Sequence, residues 1–226
     1  MNGLLKKITL STILATLISG CASGPEVPNW KTNSARQLNA YGIALLEGNK
    51  RKANIAYKSA RRSISSTGNL ELAARLEIAK CGYLLATTTP ECFFSREHPY
   101  FKYASEKDLS FLNFINGTWT NINQQKLETK YSNLIKVTDN IALTRNLQSI
   151  SDPISKLIAS SALHKKGKIT PEIIQYAIVV SSEQGLRNSL EKWLYIALKD
   201  AHLSKSKTLT DKYKAQLHFL LENESR

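Results

Sequence analysis

Two paired cysteines, four histidines and a large surplus of cations are the residues with chemistry to offer in this 226-residue chain. Cys81 and Cys92 have ten residues between them. In an oxidising compartment such a pair closes a disulfide, and a loop of that size stabilises a fold by about 2–3 kcal/mol. No C-x-x-C and no neighbouring histidine pair points to redox or zinc chemistry. His98, His164, His202 and His218 are scattered, and none forms the H-x-x-x-H or H-E-x-x-H spacing that sets two ligands on one helical face. Asp200 and His202 are two apart and diverge on a helix, so these residues read as surface or capping groups. G-x-S-x-G, Walker and G-x-G-x-x-G patterns are absent from the sequence. The carboxylates are few and dispersed, with no pair to nominate for glycosidic acid/base work. These observations set the expectation of no catalytic residue, no metal and no cofactor. A periplasmic cell-wall enzyme is the third-ranked reading.

The strongest residue pattern is positive charge, 31 Lys+Arg against 18 Asp+Glu for a net +13. Arg51, Lys52, Lys58, Arg61 and Arg62 gather opposite an Ala/Tyr stripe, with further clusters at Lys165, Lys166 and Lys168 and at Lys205, Lys207, Lys212 and Lys214. A face of this kind is commonly a solvated surface. Its sharper reading is contact with polyanions such as phospholipid or lipopolysaccharide phosphates. The segment Phe93, Phe94, His98, Tyr100, Phe101, Tyr103 reads as a loop folded over the core, with a ligand-facing patch as the alternative.

These residues need a scaffold, and its periodicity is helical throughout. At 42% hydrophobic residues the chain can bury a core, which excludes wholesale disorder. Its length allows one large domain or two small ones. Alternating β-branched runs bounded by hairpin turns are missing, and apolar residues recur at three and four. Helices are expected over Ser34 to Glu47, Lys50 to Ser66 and Leu70 to Ala86, followed by an irregular stretch at 91–104 that could divide the body. Further helices are expected over 105–116 and 122–149, broken near Thr138-Asp139, and over 208–223. Asp152-Pro153 and Thr170-Pro171 each place a capping side chain before a proline at the first helical position. Gly167 closes the first of those helices behind His164, Lys165 and Lys166, cations at the negative end of the helix dipole. A sustained apolar face then runs from Leu186 to Ala201. The class expected is all-α, built of stacked antiparallel hairpins over residues 34–226.

Residues 1–20 carry Lys6 and Lys7, then an apolar run from Ile8 to Ile18 that is too short to span a bilayer. Ile18-Ser19-Gly20-Cys21 resembles the bacterial lipoprotein signal. That resemblance implies cleavage after residue 20 and acylation of Cys21, with several acyl chains holding the protein firmly on a membrane. Ala22, where lipoproteins retained in the inner membrane carry Asp, implies the outer membrane, with the periplasmic face expected. Residues 21–33, with two prolines and no apolar period, read as a tether. Nucleic acid is a poor partner for such a protein.

Gly48, Ala53, Tyr57 and Ala60, spaced 5, 4 and 3, resemble the second half of a tetratricopeptide repeat. Gly185, Leu190, Leu194 and Ala197 repeat that spacing 137 residues later. Across Arg75-Leu76-Glu77 to Cys81, Cys92, and Asp152-Pro153 to Trp193-Leu194, the chain is similar to tetratricopeptide-like lipoproteins of proteobacteria. The resemblance implies a short α-solenoid and brings no activity with it. The leading expectation is a lipid-anchored, non-enzymatic scaffold for an envelope protein partner, with Tyr41, Leu45 and Tyr57 lining the partner groove. The alternative is a binding module for anionic envelope polymers, using the basic helix faces.

Overall fold

The computed structural model describes residues 27–88, 92 and 94–222; Cys21 and the signal-like segment lie outside these residues. The fold is all-α, and no strand occurs among the described residues. Its elements are α1 (Asn29–Glu47), α2 (Lys50–Ser65), α3 (Leu70–Leu85), α4 (Glu106–Ile115), α5 (Thr129–Ile135), α6 (Asn140–Gln148), α7 (Pro153–Lys166), α8 (Pro171–Glu183), α9 (Arg187–Leu203) and α10 (Lys207–Leu221). Two 3₁₀ turns, Phe101–Tyr103 and Trp119–Asn121, interrupt the connections.

Local chemistry sets most of these boundaries. Asn49, Asn69, Ser105, Asp139, Asp152, Thr170 and Ser206 each accept a backbone N–H near the start of the helix that follows, which satisfies donors the helix itself cannot. Gly48 at φ +88° and Gly167 at φ +78° end α1 and α7 in the left-handed conformation, where a Cβ would be penalised. The first helix begins at Asn29, so the end of the segment read as a tether is helical from just after Pro28. Residues 122–128 are not helical. Asn123 instead folds back, its Oδ1 accepting the Gln125 N–H at 3.1 Å and its Nδ2 donating to Glu106 at 2.6 Å, the competition by which Asn favours turns over helix.

Antiparallel hairpins form along the chain: α1 packs on α2, α7 on α8, α8 on α9 and α9 on α10. In the first, Ala44, Ala53, Ala56 and Ala60 are buried at the crossing. Small side chains bring the two helices together there, and Tyr41 fills the remaining space with its ring 5.4 Å from Tyr57. The two stretches of matching spacing fall in α2 and at the start of α9. The helices between them are uneven, from the 7 residues of α5 to the 16 of α3.

The main core is organised around α7. Ile154, Leu157, Ile158, Ala159, Ala162 and Leu163 are buried, and they point in more directions than one apolar stripe covers, the mark of a helix enclosed by its neighbours. α3, α4, α6 and α8 pack around it. Trp193 from α9 is fully buried, and its indole N–H has no hydrogen-bond partner. Cys81 and Cys92 are bonded, with Cα atoms 4.9 Å apart. The bond ties α3 to the irregular stretch, where Phe94 enters the core with its ring tilted against those of His98 (4.7 Å) and Phe101 (5.7 Å). The described aromatics of this stretch therefore form mostly a core-covering loop, with Tyr103 left on the surface.

Two stability outcomes follow from this packing. Opening the Cys81–Cys92 bond by Cys92→Ser should lower stability by about 2–3 kcal/mol, read as a reduced urea midpoint that the wild type reaches only with reductant. At Gly42, an added Cβ would stand 2.3 Å from Cε1 of the Tyr83 ring. Gly42→Ala should therefore destabilise by about 1–2 kcal/mol, overpacking outweighing the gain of about 1 kcal/mol in helix propensity; a raised melting temperature would show that Tyr83 swings clear at no cost.

Candidate functional site

A cleft of about 380 Å³ opens where α1, α3, α4, α5 and α7 converge. Its walls carry Arg75 and Tyr83 from α3, Lys107, Asp108 and Phe111 from α4, Lys130 and Tyr131 from α5, and Asp152 and Ser155 at the start of α7, with Lys126 and Glu128 on the approach to α5 and Leu38 and Asn39 from α1. Both signs of charge and three aromatic rings thus face one opening.

Its polar wall is held by one buried carboxylate. Asp108 is 6% exposed and accepts from the Arg75 guanidinium twice, Nε to Oδ1 at 2.9 Å and Nη2 to Oδ2 at 3.3 Å. This two-point geometry fits a planar guanidinium to a carboxylate. Ser105 donates to the same carboxylate at 2.5 Å, while its own hydroxyl caps α4 by accepting the Asp108 N–H. Arg75 reaches Glu71 at 2.7 Å as well. These bonds, those to Asp108 foremost, keep its guanidinium more firmly protonated than usual.

On the opposite wall Lys130 donates to Ser155 Oγ at 2.9 Å and pairs with Glu128 at 3.2 Å. Burial pushes the Tyr131 phenol well above its ordinary pKa, and burial with the charge of Asp152 pushes Tyr83 up to about 12. Both phenols are therefore protonated donors across the neutral range. Together these groups can receive carboxylates and ammonium groups side by side, and the rings of Tyr83, Phe111 and Tyr131 provide apolar surface between them. Among the described residues no group of His, Cys, Asp and Glu side chains is placed to hold a metal ion.

The residues expected to line a partner groove lie elsewhere, with Tyr41 buried and Leu45 and Tyr57 half-buried against the core. Tyr41 is 5% exposed, with the Tyr83 ring edge-on at 5.8 Å. Leu45 packs between the two core clusters. Tyr57 donates its phenol to Glu77 and lies under the Lys80 ammonium, 4.7 Å from the ring centroid. These three side chains glue α1, α2 and α3 together, because the small alanines on α2 bring the helices too close for a groove between them. Arg51, Lys52, Lys58, Arg61 and Arg62 are all exposed. Lys52 approaches Glu47 at 3.9 Å, and Arg61 is drawn to the Tyr100 hydroxyl, which strengthens its protonation.

The cleft groups were not legible as a set. Glu71 and Arg75 stand four apart and are visible as a helical ion pair, whereas Asp108 is 33 residues further along and only the α3–α4 packing brings it to Arg75. Ser155 reads simply as a residue of the first turn after Asp152-Pro153.

Fold and site define an all-α stack of helical hairpins with a mixed-charge, aromatic-walled cleft. No protein-family model, no curated protein and no solved structure matches the chain. Among the described residues no helix is long and apolar enough to cross a membrane.

Asp108→Ala would remove the two-point partner of Arg75, leaving it Glu71, and free the Ser105 hydroxyl from its acceptor. Arg75 retains water on one side, so the expected loss is about 1–3 kcal/mol, measured by urea unfolding at unchanged m. A loss below 0.5 kcal/mol would remove this pair from the elements that hold the cleft wall.

Proposed function

We propose that this protein is a lipid-anchored scaffold of the cell envelope, which holds an extended segment of a partner polypeptide in the α1–α3–α4–α5–α7 cleft and performs no chemistry of its own. The observation that carries the reading is the cleft wall. Arg75, Lys107, Lys126 and Lys130 stand with Asp108, Glu128 and Asp152 around Tyr83, Phe111 and Tyr131. A peptide offers charges of both signs with apolar side chains between them, and this wall has a complement for each. The anchor rests on the resemblance of Ile18-Ser19-Gly20-Cys21 to a lipoprotein signal, and Ala22 supports the outer membrane with the body in the periplasm.

A second reading has its own support in α2, whose sequence holds Lys50, Arg51, Lys52, Lys58, Arg61 and Arg62 and no acidic residue. Ile55, 61% exposed, sits on the stripe that Arg51, Lys58 and Arg62 share. Such a face suits phosphate-rich envelope polymers. Charge reversal at Arg51, Lys58, Arg61 and Arg62 should then abolish salt-sensitive retention on lipopolysaccharide; unchanged retention would remove this reading.

The scaffold reading is tested by placing a photo-crosslinking amino acid at Lys107 or Lys126, on the cleft rim, and at Ile141, on the surface outside it, in cells expressing the full chain. One discrete polypeptide adduct is expected from both rim positions and not from Ile141, with its yield falling at least fivefold in Arg75→Glu. Rim positions that give no adduct, or the same adduct from Ile141, would overturn the proposal.

A further inference from the structure

Further along α7, towards its C-terminal end, the structure contains a buried cation with no carboxylate partner among the described residues. Lys192 of α9 is partly buried along its stem, and its Nζ reaches inward to donate to the Leu85 carbonyl and, at 3.0 Å, to Ser161 Oγ. Ser161 itself is 1% exposed. An ammonium group has three N–H donors, so one remains beyond these two bonds. Lys192 lies in the wall of a pocket of about 440 Å³ together with Leu85, Ser161, His164, Lys165, Tyr195 and Ile196.

The electrostatics of this pocket are one-sided. His164 and Lys165 reach it from α7, and Lys199 lies two turns further along α9. From α3 comes only the Leu85 carbonyl, and among the described residues no carboxylate lines the pocket. Burial, with the charge of Lys165 added, lowers the Lys192 pKa to about 7. Partial burial and the charges of Lys192 and Lys199 likewise hold His164 below the usual imidazole range. A charge buried without a counter-ion is costly, and a bound anion would relieve that cost. Leu85, Ile196 and the ring of Tyr195 supply an apolar side to the same space.

We propose that this pocket binds a small organic anion, with a carboxylate or phosphate head taken by the third Lys192 donor and an apolar body laid against Leu85, Tyr195 and Ile196. The site is separate from the cleft and does not depend on the scaffold reading. Binding favours the protonated ammonium, so it draws a proton onto Lys192 and weakens as pH rises through 7. Without ligand the sign is also fixed. The folded state holds this proton less tightly than the unfolded chain, so the Lys192 contribution to stability rises with pH between about 7 and the ordinary lysine value.

The test is calorimetric titration of the full chain with hexanoate, hexyl phosphate and inorganic phosphate at pH 6 and pH 9. Hexanoate or hexyl phosphate should bind, at least tenfold more weakly at pH 9, while inorganic phosphate, lacking the apolar body, should bind more weakly than hexyl phosphate. The tighter of the two hexyl probes identifies the head group. Lys192→Met should weaken binding at least tenfold and flatten the rise in melting temperature between pH 7 and 9. Tyr195→Glu changes an exposed wall residue without touching Lys192, and should weaken binding comparably even if Lys192→Met folds poorly. Absence of binding by either hexyl probe, or binding indifferent to pH and to Tyr195→Glu, would overturn the proposal.

Discussion

Covering α7 around most of its circumference is the requirement on which the rest of this molecule depends. A helix buried around most of its circumference cannot be covered by one neighbour, so α3, α4, α6 and α8 converge on it. Its polar atoms must then find partners within the protein. Ser160 donates back to the Lys156 carbonyl at 2.8 Å, as a buried hydroxyl in a helix can. Ser155 and Ser161 accept instead from Lys130 and Lys192, cations brought in by α5 and α9. The cleft and the Lys192 pocket lie where those lysines reach α7. The same enclosure thus produces the core and places charge at its two edges.

The first hairpin solves a different problem. α1 and α2 have little bulk to bury between them, and the alanines at their crossing let the helices approach until Tyr41 and Tyr57 close the gap. Gly42 extends the same logic to α3, since only a missing Cβ leaves room for the Tyr83 ring. Close approach turns the first hairpin's aromatics into adhesive, and the concavity of the molecule appears further along, where the short helices α4 and α5 leave the α3–α7 junction partly uncovered. The cations of α2 stay outside because their face has no helix against it.

Much of the architecture was legible from local signals. Asp152-Pro153, Thr170-Pro171, Gly48 and Gly167 punctuate the chain through effects that act within a few residues, namely a capping oxygen, a fixed φ, or freedom to adopt a positive one. The pairing of Cys81 with Cys92 was legible for a similar reason, being short in sequence. Residues 122–149 were less so, because the asparagine bonds that unwind 122–128 include one to Glu106, 17 residues away. Tyr41, Leu45 and Tyr57 look alike in sequence whether a helix face meets a partner or meets the next helix, and the packing of α1, α2 and α3 draws them together.

By itself the sequence determined an all-helical body, its principal helix boundaries, its one-signed charge on α2 and the proximity of its two paired cysteines. These rest on propensities and contacts of short range. Only the tertiary structure decided which faces are covered and which charges meet. Arg75 and Asp108 come together across 33 residues, and Lys192 reaches Leu85 across 107. Nothing in the local sequence marks Lys192 as different from the lysines around it. Its chemistry comes from being carried by α9 into the end of α3 and the side of α7, where desolvation rather than residue type sets what an ammonium group can do.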